Sequence, residues 1–415
     1  MKSVQPATVD GAVAAPPSKS MMLRAVALGA LAPGRSRLDN PTYCDDARAV
    51  LGAAQALGAE VETRADAVFI AGGGRPRAAR IDCGESGLCL RLFAAVAALF
   101  AEPLTLTGRG SLLRRPLPGV EETLAALGAT ATATNGLPPL IVCGPLAGGK
   151  ATLDGSETSQ FLTGLLIALP LLPRDSRLTV NRLVSQPYVE LTLRMTRQAG
   201  AEIAVSPDGR QYDIRGGAVY RPQQWRIEGD WSGAAFLMAA GALAGRVAVR
   251  GLDPESAQAD RALLDILPRF GADVENRVGE IVVRRRERRA FAADLTDCPD
   301  LAPPLVALAV HAAGRSVLRG ARRLLSKESN RAAALTEEFG KLGARIEWRD
   351  DELLIDGCGL NGGDAQCHDD HRIAMALAVA ALAGGGEVRL AGDECVAKSY
   401  PAFFADLERL TRRNP

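Results

Sequence analysis

Nine short segments of the chain concentrate side chains that can hold anions or move protons. Pro17-Ser18-Lys19-Ser20-Met21-Met22-Leu23-Arg24 sets hydroxyls and two cations, Lys19 and Arg24, at the start of an apolar stretch. Such a set can bracket a phosphate or a carboxylate, and it also reads as a helix cap with surface charge. Gly84-Glu85-Ser86-Gly87-Leu88-Cys89-Leu90-Arg91 offers glycines that let backbone approach a ligand closely. Arg114-Arg115-Pro116 is a cation pair in a loop. Gly155-Ser156-Glu157-Thr158-Ser159-Gln160 and Ser185-Gln186-Pro187-Tyr188 present hydroxyls and amides that suit ligand oxygens and suit helix caps equally.

Four further segments carry the acid–base candidates. Asp297-Cys298-Pro299-Asp300 places carboxylates before an apolar run. Ser326-Lys327-Glu328-Ser329-Asn330-Arg331 flanks a carboxylate with cations, as proton transfer on a charged substrate requires; a salt-bridge ladder would use the same residues. Cys367-His368-Asp369-Asp370-His371-Arg372 superficially suggests a metal, but consecutive ligands on one segment leave no second element to complete a tetrahedral site. His371-Arg372 at a helix start suits an anion better, and Ala397-Lys398-Ser399-Tyr400-Pro401 adds one more cation. Only six of the 49 basic residues are lysines, at positions 2, 19, 150, 327, 341 and 398. Lys and Arg are not interchangeable, so a lysine kept in so arginine-rich a chain points to chemistry, and three of the six fall in these segments.

The elements that must position these groups recur. A Gly-Ala pair closes a helical pattern at Gly58, Gly128, Gly200, Gly271 and Gly343, at intervals of 70, 72, 71 and 72 residues. Two short strand-like runs follow each pair, for example 202–205 with 212–214. In the same phase, a polar turn opens an apolar helix near Ser18, Ser86, Thr158, Asp230, Asp300 and Asp370. A strand leads to another helix near Leu38, Leu106, Val180, Val249, Leu318 and Leu390. The chain is therefore expected to be α/β, with six βαβαββ repeats, three per domain. One domain spans 18–228. The other spans 229–415 plus 1–17, with the N-terminus, roughly Val4 to Val13, supplying strands missing from the last repeat. Crossings near 16–19 and 228–230 make a hinge, with the polar helix starts facing a cleft between the halves. A rigid binding solenoid is the competing architecture, disfavoured because polar residues gather at helix starts and not along one face.

Composition excludes several classes. With 47% hydrophobic and 23% charged residues and net charge +1, the chain lacks a field for nucleic acid or an acidic membrane. Its longest apolar run, 161–172, contains Gly164 and Pro170 and is too short to span a bilayer, and nothing near Met1 resembles a signal peptide. Eight cysteines without a C-x-x-C pair read as reduced, mostly buried thiols in a cytoplasmic protein.

Together the P-S-K-S-x-x-x-R, G-S-x-x-S-Q, S-x-P-Y, P-D, K-E-S-x-R, D-H-R and K-S-x-P segments, in order and in register over nearly the whole chain, resemble the 5-enolpyruvylshikimate-3-phosphate synthase family. The resemblance implies a two-domain inverse α/β barrel that joins phosphoenolpyruvate to shikimate 3-phosphate through a tetrahedral intermediate, with no metal or organic cofactor. It also implies a cytoplasmic monomer whose partners are these two small molecules. By resemblance, Lys19 contacts both substrates. Ser20, Arg24, Thr158, Ser159, Gln160, Ser185, Arg323 and Lys327 hold shikimate 3-phosphate. Gly87, Arg115, Gln160, Arg331, Arg372 and Lys398 hold phosphoenolpyruvate. Asp300 accepts the hydroxyl proton and Glu328 serves the methylene carbon. The chain departs from the family pattern at Glu85, Leu88, Arg323 and Asn330, where Asn, Thr, Asn and Asp are usual. Glu85 places a carboxylate near the expected phosphate of phosphoenolpyruvate. Two rivals are the UDP-N-acetylglucosamine enolpyruvyl transferases and a non-catalytic binder of phosphorylated metabolites. The first carry a reactive cysteine in the loop matching Gly108–Pro116, where this chain has none, and Lys-Asn where it has Lys19-Ser20. Asp300 and Glu328 argue against the second.

Overall fold

The computed structural model describes residues 1–412. Among them, each repeat contributes two helices: α1 (Lys19–Leu31) and α2 (Asp45–Ala56), α3 (Gly87–Ala97) and α4 (Val120–Ala126), α5 (Gln160–Ala168) and α6 (Gln186–Ala199), α7 (Trp231–Ala244) and α8 (Leu263–Phe270), α9 (Ala302–Ala309) and α10 (Arg331–Lys341), α11 (His371–Ala381) and α12 (Phe403–Leu410).

Beyond polar residues in their first two turns, the odd-numbered helices are apolar on every side and therefore buried. All residues of α7, α9 and α11 are buried. Within α7, Phe236, Leu237, Met238 and Leu243 each contribute about 1.5–3 kcal/mol by leaving water. Small residues let these helices approach closely. A Cβ on Gly164 of α5 would lie 2.5 Å from the carbonyl oxygen of Leu92 in α3. Polar caps open most of them: Ser18, Ser86, Asp230 and Asp370 accept from the backbone amides of Met21, Cys89, Gly233 and Arg372.

The even-numbered helices are amphipathic, and five of them end at the Gly-Ala pairs. Glycines 58, 128, 200, 271 and 343 have φ of 96°, 93°, 112°, 99° and 91°. The amide of each following alanine donates to the carbonyl five residues back, as in Ala59 to Ala54 and Ala344 to Phe339, both 3.0 Å. This left-handed cap is why glycine recurs there.

The chain divides into two compact units, Pro17–Ile227 and Met1–Pro16 together with the chain from Glu228 onward. Pro17–Ile227 holds three four-stranded sheets. In the second, Arg80–Asp82 runs parallel to Leu104–Thr107, with α3 as the crossover, and the hairpin Thr130–Thr134 and Leu137–Cys143 extends the sheet antiparallel. The third repeats this with Gly149–Asp154, Ser176–Asn181, Gln211–Ile214 and Ile203–Val205. The first is closed from a distance: its parallel strand is Gln224–Arg226, which pairs Trp225 with Leu38. This closure carries no local signal in the sequence, because its two strands lie far apart in the chain.

In the other unit, the middle sheet has the same order, Ala292–Asp294, Arg315–Arg319, Glu352–Asp356 and Arg345–Arg349. The N-terminus supplies strands to both of the others. Thr8–Ala14 runs parallel to Gly245–Arg250, and Lys2–Val4 pairs antiparallel with Val388–Ala391. In both units the odd helices are enclosed and the sheets carry the exposed residues, so each is an inverse α/β barrel of three repeats. Six of the eight cysteines are buried, and all eight are free thiols. No helix among the described residues is long and apolar enough to cross a membrane.

Candidate active site

Each unit gathers its own polar cluster at the starts of its buried helices. In Pro17–Ile227, Arg24 sits one turn into α1, 2% exposed. Its Nε donates to Thr192 Oγ1 (2.9 Å), Nη1 to the Ser20 carbonyl (2.7 Å), and Nη2 to the Tyr188 carbonyl (3.1 Å) and Thr163 Oγ1 (3.3 Å). Burial pushes its guanidinium down to about 10. Arg24 thus ties Ser20 on α1 to the start of α6. There Ser185, buried and in the left-handed region at φ 57°, precedes Gln186. A non-glycine residue held in that conformation is the kind of backbone strain that collects at functional sites. Lys19 Nζ lies 2.9 Å from Asp46 Oδ2 at the start of α2.

At α5, Thr158 Oγ1 accepts from the Gln160 amide (3.2 Å), and Ser159 is buried at the cap position. Gln160 Oε1 accepts from Arg91 Nη1 (3.1 Å), whose Nη2 donates to the Pro116 carbonyl (2.7 Å). Burial, with Arg115 close by, lowers the Arg91 guanidinium to about 9. Gly87 lies beneath both arginines: a Cβ there would be 2.5 Å from Arg115 Nη1 and 2.8 Å from Arg91 Nη1. Two cations therefore converge above a helix start that only glycine leaves open. The carboxylate of Glu85 accepts from the amide of Ser111 (3.1 Å) and its hydroxyl (3.2 Å).

In the other unit, Arg331 is the hub, wholly buried at the start of α10. Its Nη1 reaches Asp300 Oδ1 (2.7 Å), Nη2 reaches Glu328 Oε2 (2.5 Å), and Nε reaches Asp370 Oδ2 (2.8 Å). Arg372 Nη2 holds the other oxygen of Asp300 at 2.9 Å. Burial would push the Asp300 carboxyl up, but Arg372, Lys327 and Arg331 outweigh it and hold it well below the usual carboxylate range. Burial pushes the Lys327 ammonium down to about 8 despite Asp300. Asp260, buried and bonded to Ser232 Oγ, is raised to about 7 by burial and by Asp300. Lys398 Nζ binds the carbonyl (2.7 Å) and carboxylate (2.8 Å) of Asp369, and Arg323 donates to the Thr296 carbonyl.

This arrangement can do acid–base chemistry beside bound anions. It holds two carboxylates, Asp300 and Glu328, on one buried guanidinium, with Arg372 and Lys327 adjacent. Residues 367–371 do not converge as ligands. His368 Nε2 turns to Glu338 (2.6 Å), His371 lies 3.9 Å from Asp370, and Cys367 faces Cys395. Glu337, Glu338 and His368 bring ligand atoms within 4.8 Å of one another, but Lys341 already bonds both carboxylates, at 2.8 and 2.7 Å.

Charged groups of these clusters that the sequence did not single out include Asp46, Arg91, Asp260 and Asp370. Arg91 had a legible signal, a lone cation inside an otherwise apolar helix. Asp370 was visible only as a cap, and Asp46 as one of two acids opening α2.

The family model for EPSP synthase (3-phosphoshikimate 1-carboxyvinyltransferase) matches residues 4–407. The chain is 41% identical over 416 residues to the 3-phosphoshikimate 1-carboxyvinyltransferase of Methanothrix thermoacetophila, covering 98% of this chain and 97% of the relative. It is 38% identical over 408 residues to the protein of the same name from Methanocorpusculum labreanum, covering 97% and 96%. Among solved structures, EPSP synthase from Acinetobacter baumannii superposes with a TM-score of 0.83 at 26% identity, covering 99% of this chain and 98% of that one. The enolpyruvyl transferase NikO from Streptomyces tendae, at 20% identity and a TM-score of 0.81, shares the fold.

Proposed function

The chain belongs to the EPSP synthase family, and on that premise we propose that it transfers the enolpyruvyl group of phosphoenolpyruvate to the 5-hydroxyl of shikimate 3-phosphate and releases phosphate. The observation that carries this reading is the Asp300–Arg331–Glu328 cluster with Arg372 alongside. Asp300 is ionised at neutral pH and so is ready to accept the hydroxyl proton as that oxygen adds to C2 of phosphoenolpyruvate. Glu328, entering protonated, delivers a proton to C3 and takes one back from the resulting methyl as phosphate leaves with the proton that Asp300 took from the hydroxyl, so the proton count closes. A carboxylate held so low is a weak base. An incoming phosphoenolpyruvate carboxylate that draws Arg331 and Arg372 toward itself relieves that hold and raises the basicity of Asp300 when it is needed.

Lys19, Ser20, Arg24, Thr158, Ser159, Gln160, Ser185, Arg323 and Lys327 hold shikimate 3-phosphate in this reading. Lys19, Gly87, Arg115, Gln160, Arg331, Arg372 and Lys398 hold phosphoenolpyruvate. The reading makes the protein a cytoplasmic monomer that closes on its substrates at the crossings near 16–19 and 228–230.

The test is to mix protein, shikimate 3-phosphate and phosphoenolpyruvate and measure phosphate release. Release that needs both substrates supports the reading. No release, or release only with UDP-N-acetylglucosamine, overturns it.

A further inference from the structure

Glu85 is the residue that fits a phosphoenolpyruvate site least well by charge, and the fold gives it other work. The loop from Thr107 to Arg115 lies against residues 83–85 through successive contacts. The Cys83 amide donates to the Thr107 carbonyl (2.8 Å), and the Arg109 amide to the Gly84 carbonyl (2.8 Å). Glu85 Oε2 then takes both the amide and the hydroxyl of Ser111, at 3.1 and 3.2 Å. From there a tight turn, Gly110–Arg114, buries Leu112 completely and leads into Arg115, whose amide donates to the Leu112 carbonyl (3.1 Å). Gly110 has φ 55°, and a Cβ there would lie 2.4 Å from Glu85 Oε2, so glycine at 110 makes room for the carboxylate. Two residues beyond Glu85 on its own segment is Gly87, over which Arg115 lies.

We propose that Glu85 is a positioning residue: its carboxylate ties the 109–115 loop to the start of α3, fixes Arg115 above Gly87, and thereby sets affinity for phosphoenolpyruvate but not for shikimate 3-phosphate. The inference rests on the reading above that Arg115 and Gly87 serve phosphoenolpyruvate. A carboxylate suits this task because one oxygen accepts both Ser111 donors. Its charge strengthens both of those hydrogen bonds.

The experiment compares wild type, E85A, E85Q and S111A by steady-state kinetics and by amide hydrogen exchange of the 109–116 backbone. E85A should raise KM for phosphoenolpyruvate about tenfold, as loss of a charged acceptor with two donors implies, with KM for shikimate 3-phosphate within about twofold. E85Q, which keeps an acceptor oxygen, should restore most of the loss. S111A should shift the same constant in the same direction by less, and it decides the matter if E85A does not fold. Exchange at Ser111 should speed up in E85A and not in E85Q. An unchanged KM for phosphoenolpyruvate, an equal rise in both constants, or unaltered exchange would each overturn the proposal. Wild-type protein that releases no phosphate overturns the substrate reading instead, while the exchange arm still decides the tether.

Discussion

Arg331 contacts three carboxylates within 2.8 Å while being wholly buried, so those charges stand or fall together. Asp300→Asn and Glu328→Gln keep the shape of the cluster and remove the bases. Each is expected to lower kcat by about 10²–10⁴-fold while changing KM by a few-fold, in a steady-state assay. Near-normal turnover in either variant would refute the role assigned to that residue. Lys327 supplies a pH signature. Its pKa of about 8 makes it a cation below that pH and neutral above it. kcat/KM for shikimate 3-phosphate should therefore fall as pH rises through about 8. In Lys327→Arg that alkaline limb should move upward, because arginine keeps its charge.

The elements explain why such groups can be held at all. Each odd-numbered helix is clad largely in apolar residues and meets polar partners within its first two turns, so its start is fixed by core packing and not by a flexible loop. Gly164 shows how tight that packing is, with the α3 backbone 2.5 Å from where a Cβ would stand. Gly164→Val should destabilise the protein by about 1–3 kcal/mol or more, since neither backbone can retreat without moving its helix. Thermal unfolding measures this directly. A melting temperature unchanged within about 1 °C would mean that α3 and α5 have slack the structure does not suggest.

For the whole molecule, the relevant feature is the chain path. One unit is a single segment, Pro17–Ile227, and the other is built from both chain ends, so the backbone passes between them twice, at Pro16–Pro17 and Ile227–Glu228. Each polar cluster holds part of the groups the proposed reaction needs: cations and hydroxyls in one unit, the proton-transfer carboxylates with further cations in the other. Saturating shikimate 3-phosphate is therefore expected to reduce the radius of gyration in small-angle scattering, with the mass remaining that of one 43.6 kDa chain. An unchanged radius would count against closure, and a doubled mass against the monomer.

What the sequence determined by itself was the content of each repeat. Gly-Ala caps, polar helix starts and apolar runs act over a few residues, so their energetics are local, and the six-fold recurrence made them legible. Asp300, Glu328, Arg331 and Arg372 stood out as candidates because each lies in a polar segment at or just before a helix start, and the family resemblance gave them roles. The tertiary structure alone decided what depends on residues distant in the chain. Gln224–Arg226 closes the sheet of Gly34–Asp39, and the N-terminus divides its two strands between two sheets, because edge strands are satisfied by whichever partner the finished barrel brings alongside. The same holds for Glu85. From its position in the motif it is a negative charge beside an anion site. Only the packing of the 109–115 loop brings it to Ser111, where two donors stabilise it.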